Sequence, residues 1–407
     1  MQTQLLASVL NTPEGQLADS ILRKCVHCGF CNATCPTYQV LGDENEGPRG
    51  RIYLIKQLLE GKAASQATLA HLDHCLICRS CETTCPSGVE YSKLLDIGRY
   101  QAAQQIDRPS KVKQQRRLLG LILPHPRLVQ WGVNLARYLQ AYLPPNLQQK
   151  LPAPVAVPPV IARQQPRQVL MLDGCVQPTL APDINAVTER VLNRLGIGVI
   201  HAAKAGCCGA INQHLEQPAP ALRQMRRNID AWWPFIESGQ VEAIVATASG
   251  CGTTLKDYAY YLRNDTYYAA KAARIAKLSK DIAEIIANED YPALNPEPQV
   301  KRIAWHPPCS LQHGQKIQGV VEQILKSCGY ELLPVVDSHL CCGSAGTYSI
   351  LQPELANQLK INKINHLLME KPELIVTANI GCQLHLQEGT SIPVKHWIHL
   401  LDNAKSA

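Results

Sequence analysis

Residues 25–36 read CVHCGFCNATCP, and residues 75–86 read CLICRSCETTCP. Both follow C-x2-C-x2-C-x3-C-P. Three cysteines at two-residue gaps wrap a tight turn around one point. The fourth, fixed by the proline after it, is aimed away from that point. Between the two runs, GDENEGPRGRIYLIKQLLEG (42–61) predicts a turn and then an amphipathic helix. Arg49 and Arg51 in that stretch read either as cations that bias a neighbouring site or bond backbone carbonyls, or as solvated surface residues.

The spacing is that of two-cluster bacterial ferredoxins, in which the fourth cysteine of each run serves the other cluster. Two [4Fe–4S] clusters are therefore expected. Cys25, Cys28, Cys31 and Cys85 would hold one, and Cys75, Cys78, Cys81 and Cys35 the other. A pair of four-cysteine zinc sites is the competing assignment, but these usually pair two C-x2-C knuckles across a long gap.

The chain has 407 residues, 17 of them cysteine, and a formal net charge of +7. The odd cysteine count argues against a complete disulfide framework. MQTQLLASVLNTPEGQLADS carries no Lys or Arg and so lacks the n-region of a secretory signal. A reducing, cytoplasmic setting is expected, with the thiols acting as ligands or redox groups. No apolar run is long enough to span a bilayer, so any membrane attachment would be peripheral, on the cytoplasmic face of the inner membrane. No Lys/Arg tract suits nucleic acid.

The other nine cysteines lie in an internal repeat. Cys175, Cys207 and Cys208 recur 134 residues later as Cys309, Cys341 and Cys342, and Cys251 recurs 131 later as Cys382. RQVLMLDGC (167–175) matches RIAWHPPC (302–309). AGCCGA (205–210) matches LCCGSA (340–345), and EAIVATASGC (242–251) matches ELIVTANIGC (373–382). Each copy predicts strand, helix, strand, CCG turn, helix, strand and a cysteine loop, hence a parallel sheet. The fold class expected is α+β with α/β: an N-terminal two-cluster ferredoxin-like helical domain, then two repeated α/β cysteine-rich CCG units. The boundaries expected are 1–100 for the cluster domain, 101–143 for a basic and amphipathic helical segment, 144–166 for a proline-rich linker, and 167–295 and 296–407 for the repeats. Strand ends converge in such sheets, so Cys175, Cys207, Cys208 and Cys251, and again Cys309, Cys341, Cys342 and Cys382, are candidate metal ligands. A further cluster, a zinc ion, and free or redox-active thiols all remain open. Cys328, in a helix-to-strand turn, reads as structural.

In its order of two ferredoxin runs, linker and two C-x31-CCG units, the chain resembles the CCG-domain iron–sulfur proteins. That family includes iron–sulfur subunits of glycolate oxidase and of anaerobic glycerol-3-phosphate dehydrogenase, and subunits of heterodisulfide reductase. Length and detailed text are most similar to the glycolate oxidase branch. The resemblance implies an electron-transfer subunit with no catalytic residue of its own. It would work beside flavoprotein subunits that oxidise glycolate, or another 2-hydroxy acid such as D-lactate, and pass electrons toward a quinone or other respiratory acceptor. The fullest family pattern ends each unit in C-x-x-C. Here the endings are CGTT (251–254) and CQLH (382–385), which argues against a disulfide-reducing centre.

Two weaker signals remain. Arg99, Arg108, Lys111, Lys113, Arg116 and Arg117 form a basic flank to a helix pattern from Arg127 to Tyr142. Its apolar stripe carries Leu128, Trp131, Leu135, Tyr138, Leu139 and Tyr142, and reads either as a membrane-surface helix or as a packing face. His27, His74, His306 and His313 lie near cysteines but are expected to be hydrogen-bonded neighbours, not ligands.

Overall fold

A computed structural model describes residues 1–142, 144, 154, 155, 157, 160, 165–294, 296 and 301–402. Most of the proline-rich segment 144–166 lies outside the described residues. The chain forms two compact units, Met1–Arg116 with Asp337–Lys363, and Arg117–Val336 with the chain from Ile364.

The first unit is helical. Helix α1 (Pro13–Lys24) starts at Thr12, whose hydroxyl accepts from Gly15 N at 3.0 Å. Helix α2 (Pro48–Leu59) presents Ile52, Ile55 and Leu59 at helical spacing to the core. Helix α3 (Gln66–Asp73) opens with a Ser65–Thr68 capping box, and α4 (Tyr91–Gln105) packs against α1, α2 and α3. Gly98 lets α4 approach closely, since a Cβ there would lie 2.5 Å from Ile55 Cγ1. Ala18, Ile21, Leu22, Leu72, Leu94 and Leu95 complete the core. Helix α5 (Ser110–Ile122) spans the end of this unit and the start of the next, where α6 (Pro126–Tyr138) follows.

The second unit realises the sequence repeat as two four-stranded parallel sheets. β1 (Arg167–Leu172), α7 (Asp183–Arg194), β2 (Ile197–Ile200), α8 (Pro218–Glu237), β3 (Ala243–Ala246), α9 (Ser249–Lys256) and β4 (Ser279–Asp281) build the first, in order β2-β1-β3-β4. β5 (Arg302–His306), α10 (Val320–Ser327), β6 (Glu331–Leu333), α11 (Pro353–Leu368), β7 (Leu374–Thr377), α12 (Ile380–Gln387) and β8 (Val394–His396) build the second, in order β6-β5-β7-β8. Residues 337–363, between β6 and the last turn of α11, pack with the first unit. The registers correspond: Val169 pairs with Ala243, and Ile303 with Leu374. Strand alternation splits each sheet between two apolar layers. Val169 and Val245 enter one core, shared with Ile303, Val376 and Trp397, while Leu170, Ile244 and Ala246 enter another with Trp232.

The last strands of the two sheets end on equivalent caps. Asp281 accepts from Ala283 N at 3.0 Å, and His396 Nδ1 accepts from Ile398 N at 3.2 Å. Each also reaches the other repeat, Asp281 accepting from Gln315 Nε2 at 3.1 Å and His396 Nε2 meeting Thr247 O at 3.0 Å. Asp281 is fully buried, and burial pushes its carboxyl up to about 7 despite those donors. An unfolded aspartate titrates near 3.9, so the folded value is raised. The stability of the neutral form is fully present below that unfolded value and is lost as pH rises through about 7. Thermal unfolding between about pH 5 and 8.5 should therefore show a Tm that falls up to about pH 7 and then levels off, and Asp281→Asn should flatten the falling part. An unchanged slope in the variant would assign the pH dependence elsewhere.

Candidate functional site

The two cysteine runs build matching loops. His27 and Ile77, one residue before the second cysteine of each run, adopt left-handed φ values of 57° and 54°. Gly29 and Arg79, one residue after it, do the same at 88° and 61°. For Ile77 this is a costly conformation for a β-branched residue. The twist turns an amide back onto the first sulfur: Ile77 N–H donates to Cys75 Sγ at 3.4 Å, and His27 N–H donates to Cys25. The proline after each fourth cysteine holds Cys35 (φ −88°, ψ 114°) and Cys85 (φ −75°, ψ 115°) extended, because a residue before proline avoids the helical region.

One cavity, of about 430 Å³, is lined by Cys25, Cys28, Cys31 and Cys85; a second, of about 360 Å³, is lined by Cys35, Cys75, Cys78 and Cys81. Pro48, Cys81 and Tyr91 border both, so the cavities adjoin. Burial pushes the Cys31 thiol up to about 11, and it raises Cys81 well above the ordinary thiol range. Thiols this dry ionise only against a strong positive charge. Four soft donors per cavity with largely apolar walls therefore fit a [4Fe–4S] cluster in each.

Beneath the second cavity lies a buried polar network that the sequence did not announce. Arg51 is fully buried, not a solvated surface residue, and lines the cavity. Its Nη2 donates to Glu46 Oε2 at 2.8 Å, its Nε to His71 O at 2.7 Å and its Nη1 to Thr37 Oγ1 at 3.2 Å. Thr37 Oγ1 donates to Glu46 O and lies 3.3 Å from Cys35 Sγ. His71 Nδ1 and His74 Nδ1 both meet Glu46 Oε1, at 2.6 and 2.9 Å. Burial alone would raise Glu46, but His74, His71 and Arg51 hold it down at about 2. His74 is thus a hydrogen-bonded neighbour. Arg49 pairs with Glu44 at 2.6 Å in a partly exposed position.

Arg99, read from sequence as part of a basic flank, is buried. It donates to Leu72 O (2.7 Å) and Cys75 O (2.8 Å), capping the carbonyls that lead from α3 into the second run. Arg108 pairs with Asp73, and Arg116 is buried. Much of the basic flank is therefore internal. The helix expected from Arg127 to Tyr142 ends at Tyr138, and Gln140–Tyr142 form a separate 3-10 turn. The apolar stripe is largely exposed: Trp131 and Tyr138 on α6 are 67% and 85% exposed, and Tyr142 in the turn is 86% exposed.

In the first repeat, Cys175 follows β1, Cys207 and Cys208 follow β2, and Cys251 sits in the first turn of α9 rather than in a loop. The four sulfurs form a contact chain. The Cys175 and Cys208 thiols both bond Cys207, and Cys208 also bonds Cys251. Those two donors hold Cys207 well below the usual thiol range and are themselves raised. Gly209, at φ 99°, bends the chain against Ala221 O and Met225. Asn228 and Tyr258, both fully buried, clamp this turn. Asn228 Nδ2 donates to Cys207 O at 2.9 Å, its Oδ1 accepts from Gly206 N at 2.9 Å, and Tyr258 OH donates to Cys208 O at 2.8 Å. No motif signals either residue.

In the second repeat, Cys309 precedes a short π-helical turn, Ser310–Gly314, and Cys382 lies in α12, again helical rather than in a loop. Buried His306, at the end of β5, comes within 4.8 Å of Cys382 Sγ through a ring nitrogen. Asn379 Nδ2 donates to the same sulfur at 3.6 Å. Cys341 and Cys342 belong to residues 337–363 of the first unit, where Gly343 (φ 92°) presses against Ala356 O. His313 is buried, and Cys328 is a buried thiol capping α10. Among the described residues, no helix is long and apolar enough to cross a membrane.

Residues 21–89 match the 4Fe-4S dicluster domain, and residues 169–256 and 303–387 match the cysteine-rich CCG domain. The chain is 51% identical to the glycolate oxidase iron-sulfur subunit of Escherichia coli K12, over 99% of both chains. It is 28% identical to the probable glycolate oxidase iron-sulfur subunit of Bacillus subtilis 168, over 98% of this chain and 96% of the relative. A lactate utilization protein A of Geobacillus thermodenitrificans is 25% identical over 58% of this chain and 99% of its own. Paired ferredoxin runs, the CCG repeat and end-to-end similarity coincide, and the chain belongs to the glycolate oxidase iron–sulfur subunit family.

Proposed function

We propose that this chain is the electron-transfer subunit of a glycolate-oxidising complex, accepting electrons from a flavoprotein partner and passing them toward a quinone or other respiratory acceptor. The observation that carries the reading is the pair of adjoining cavities, which gather all eight cysteines of the two runs and share Cys81 in their common wall. Cys25, Cys28, Cys31 and Cys85 hold one [4Fe–4S] cluster, and Cys75, Cys78, Cys81 and Cys35 the other. Such clusters supply one-electron acceptance and release, which divides the electron pair leaving a flavin. The chain's own residues hold the frame. His27 and Ile77 amides stabilise ligand sulfur charge, Pro48 and Tyr91 keep water from the shared wall, and Arg51 with Glu46 fixes the floor of the second cavity. The converging Cys175, Cys207, Cys208 and Cys251 suit a thiophilic metal or further cluster, and Cys309, Cys341, Cys342 and Cys382 are the matching candidates.

Two-electron oxidation of a hydroxy acid needs a hydride acceptor, and none of the residue patterns here offers a flavin site. The test compares the purified chain with the reconstituted complex. The chain alone should take up electrons from dithionite but not from glycolate. In the complex, Cys25→Ser should spare flavin reduction by glycolate and slow electron flow to a quinone analogue. Dye reduction by glycolate with the flavin-free chain would overturn the reading.

Peripheral attachment to the cytoplasmic membrane face fits the exposed stripe on α6, since exposed aromatics favour an apolar boundary. Trp131→Asp with Tyr138→Asp should lower co-sedimentation with anionic vesicles severalfold, and the wild-type binding should survive high salt better than a purely electrostatic contact. Equal sedimentation of the double variant would remove α6 as the contact.

A further inference from the structure

A second exposed surface, on the first repeat, carries a different composition. Helix α8 and the loop before the CCG turn border an open cleft of about 810 Å³, lined by Lys204, Arg223, Arg226, Arg227, Asp230 and Ala231. Arg226 is neutralised by Asp265 at 2.7 Å. Among the described residues, Lys204, Arg223 and Arg227 form no ion pair with a carboxylate. Three exposed cations thus face one cleft whose lining offers a single carboxylate, Asp230, and that one accepts from Tyr268 OH, so positive charge is in excess.

The cleft continues into an aromatic surface. Arg226 lies over the Tyr268 ring, 5.8 Å from its centroid, and Tyr268 OH donates to Asp230 Oδ2 at 2.9 Å. Tyr267 meets Tyr268 edge-on at 4.8 Å and is 64% exposed. Lys271 Nζ sits 4.3 Å over Tyr267 and 5.1 Å over Trp233, on the next turn of α8. Exposed Tyr267 with half-buried Arg226, Trp233 and Tyr268, held in place by one another, has the composition of protein-binding hot spots. At its other end the surface meets the CCG turn. A Cβ on Gly206, next to Cys207, would lie 2.3 Å from Arg227 Nη2.

We propose that this cationic and aromatic face of α8 docks an acidic segment of the flavoprotein partner, seating it beside Cys207. The proposal rests on the electron-transfer reading above. Carboxylates of the partner balance the excess positive charge, and the tyrosines and Trp233 supply rigid contact area around it. Long-range attraction by three like charges acts mainly on the rate of encounter and weakens as salt rises.

The test measures association of the full cluster-bearing chain with the purified flavoprotein subunits. Arg223→Glu with Arg227→Glu should lower the association rate constant about tenfold or more at low salt, with the difference shrinking at high salt. Because Arg227 touches the CCG turn, Lys204→Glu with Arg223→Glu provides an independent pair. Iron content should be unchanged in both, and Lys326→Glu, on the second repeat, should associate like wild type. Wild-type association by either double variant overturns the proposal. So does binding of inorganic phosphate that is lost in the variants while subunit association is kept, since that marks a small-anion site. If wild type itself fails to bind the flavoprotein, the electron-transfer reading fails with it, and the two failures are distinguished by the wild-type trace.

Discussion

Cys35→Ser is expected to remove about four of roughly eight cluster irons and to alter the same paramagnetic signal as Cys78→Ser, leaving the signal lost in Cys28→Ser intact. Sequence distance suggests the opposite, because Cys35 is four residues from Cys31 and forty from Cys75. Geometry decides it. Pro36 begins a new helix, so Cys35 is held extended as its cap and cannot continue the turn that gathers Cys25, Cys28 and Cys31. Its thiol lines the cavity of Cys75, Cys78 and Cys81, beside Thr37 and above Arg51. Cys85 makes the reciprocal crossing into the first cavity. Serine retains the size of the side chain but is a harder, weaker donor for iron, so the loss falls on the cluster that Cys35 serves. Iron per chain and low-temperature electron paramagnetic resonance on anaerobically purified variants would measure both parts. If Cys35→Ser tracks Cys28→Ser instead, each run closes on its own cluster and the crossing is wrong.

What the sequence made legible was whatever depends on short spacing. Three cysteines at two-residue gaps can make few shapes, and both runs adopt one of them down to the left-handed residues at 27 and 77. The CCG repeat was legible because cysteines fix an alignment that ordinary apolar residues leave loose, and the paired strand orders follow it. The losses came where a residue's depth decides its role. Arg51 and Arg99 look like any surface cations, and the Arg99 stretch read as a basic flank. Yet one closes an ion pair with Glu46 and the other caps backbone carbonyls of residues 24–27 positions earlier. Asn228 and Tyr258 carry no spacing signal, because their partners at Cys207 and Cys208 lie 21 and 50 residues away. Cys251 and Cys382 read as loop residues because the strand before each is only four residues long, and the helix starts almost at once.

Removing the Arg51 guanidinium is expected to cost about 3–5 kcal/mol of stability, among the largest effects available outside the cysteines. Arg51 and Glu46 are both buried, and each is the other's charge partner. In Arg51→Met the Glu46 carboxylate stays buried with only His71 and His74 beside it, while Thr37 Oγ1 and His71 O lose their donor. Arg51→Lys keeps the charge, but a single ammonium cannot reach three acceptors held in a planar fork, so it should fall between Met and wild type. Pairing Arg51→Met with Glu46→Gln removes the orphaned charge, so the double variant should be more stable than the sum of the single changes requires. The same ordering should appear in a second observable. A cation lining the cavity of Cys35, Cys75, Cys78 and Cys81 favours the more negative, reduced state of whatever those sulfurs hold, and an unpaired Glu46 opposes it. The midpoint potential of that centre should therefore fall in Arg51→Met and recover toward wild type in the double variant, with the other centre little changed. Anaerobic denaturant titration and potentiometric titration of the two signals would test this. Equal loss in the single and double variants, with no shift in potential, would reduce Arg51 to a packing residue whose charge does nothing for the site.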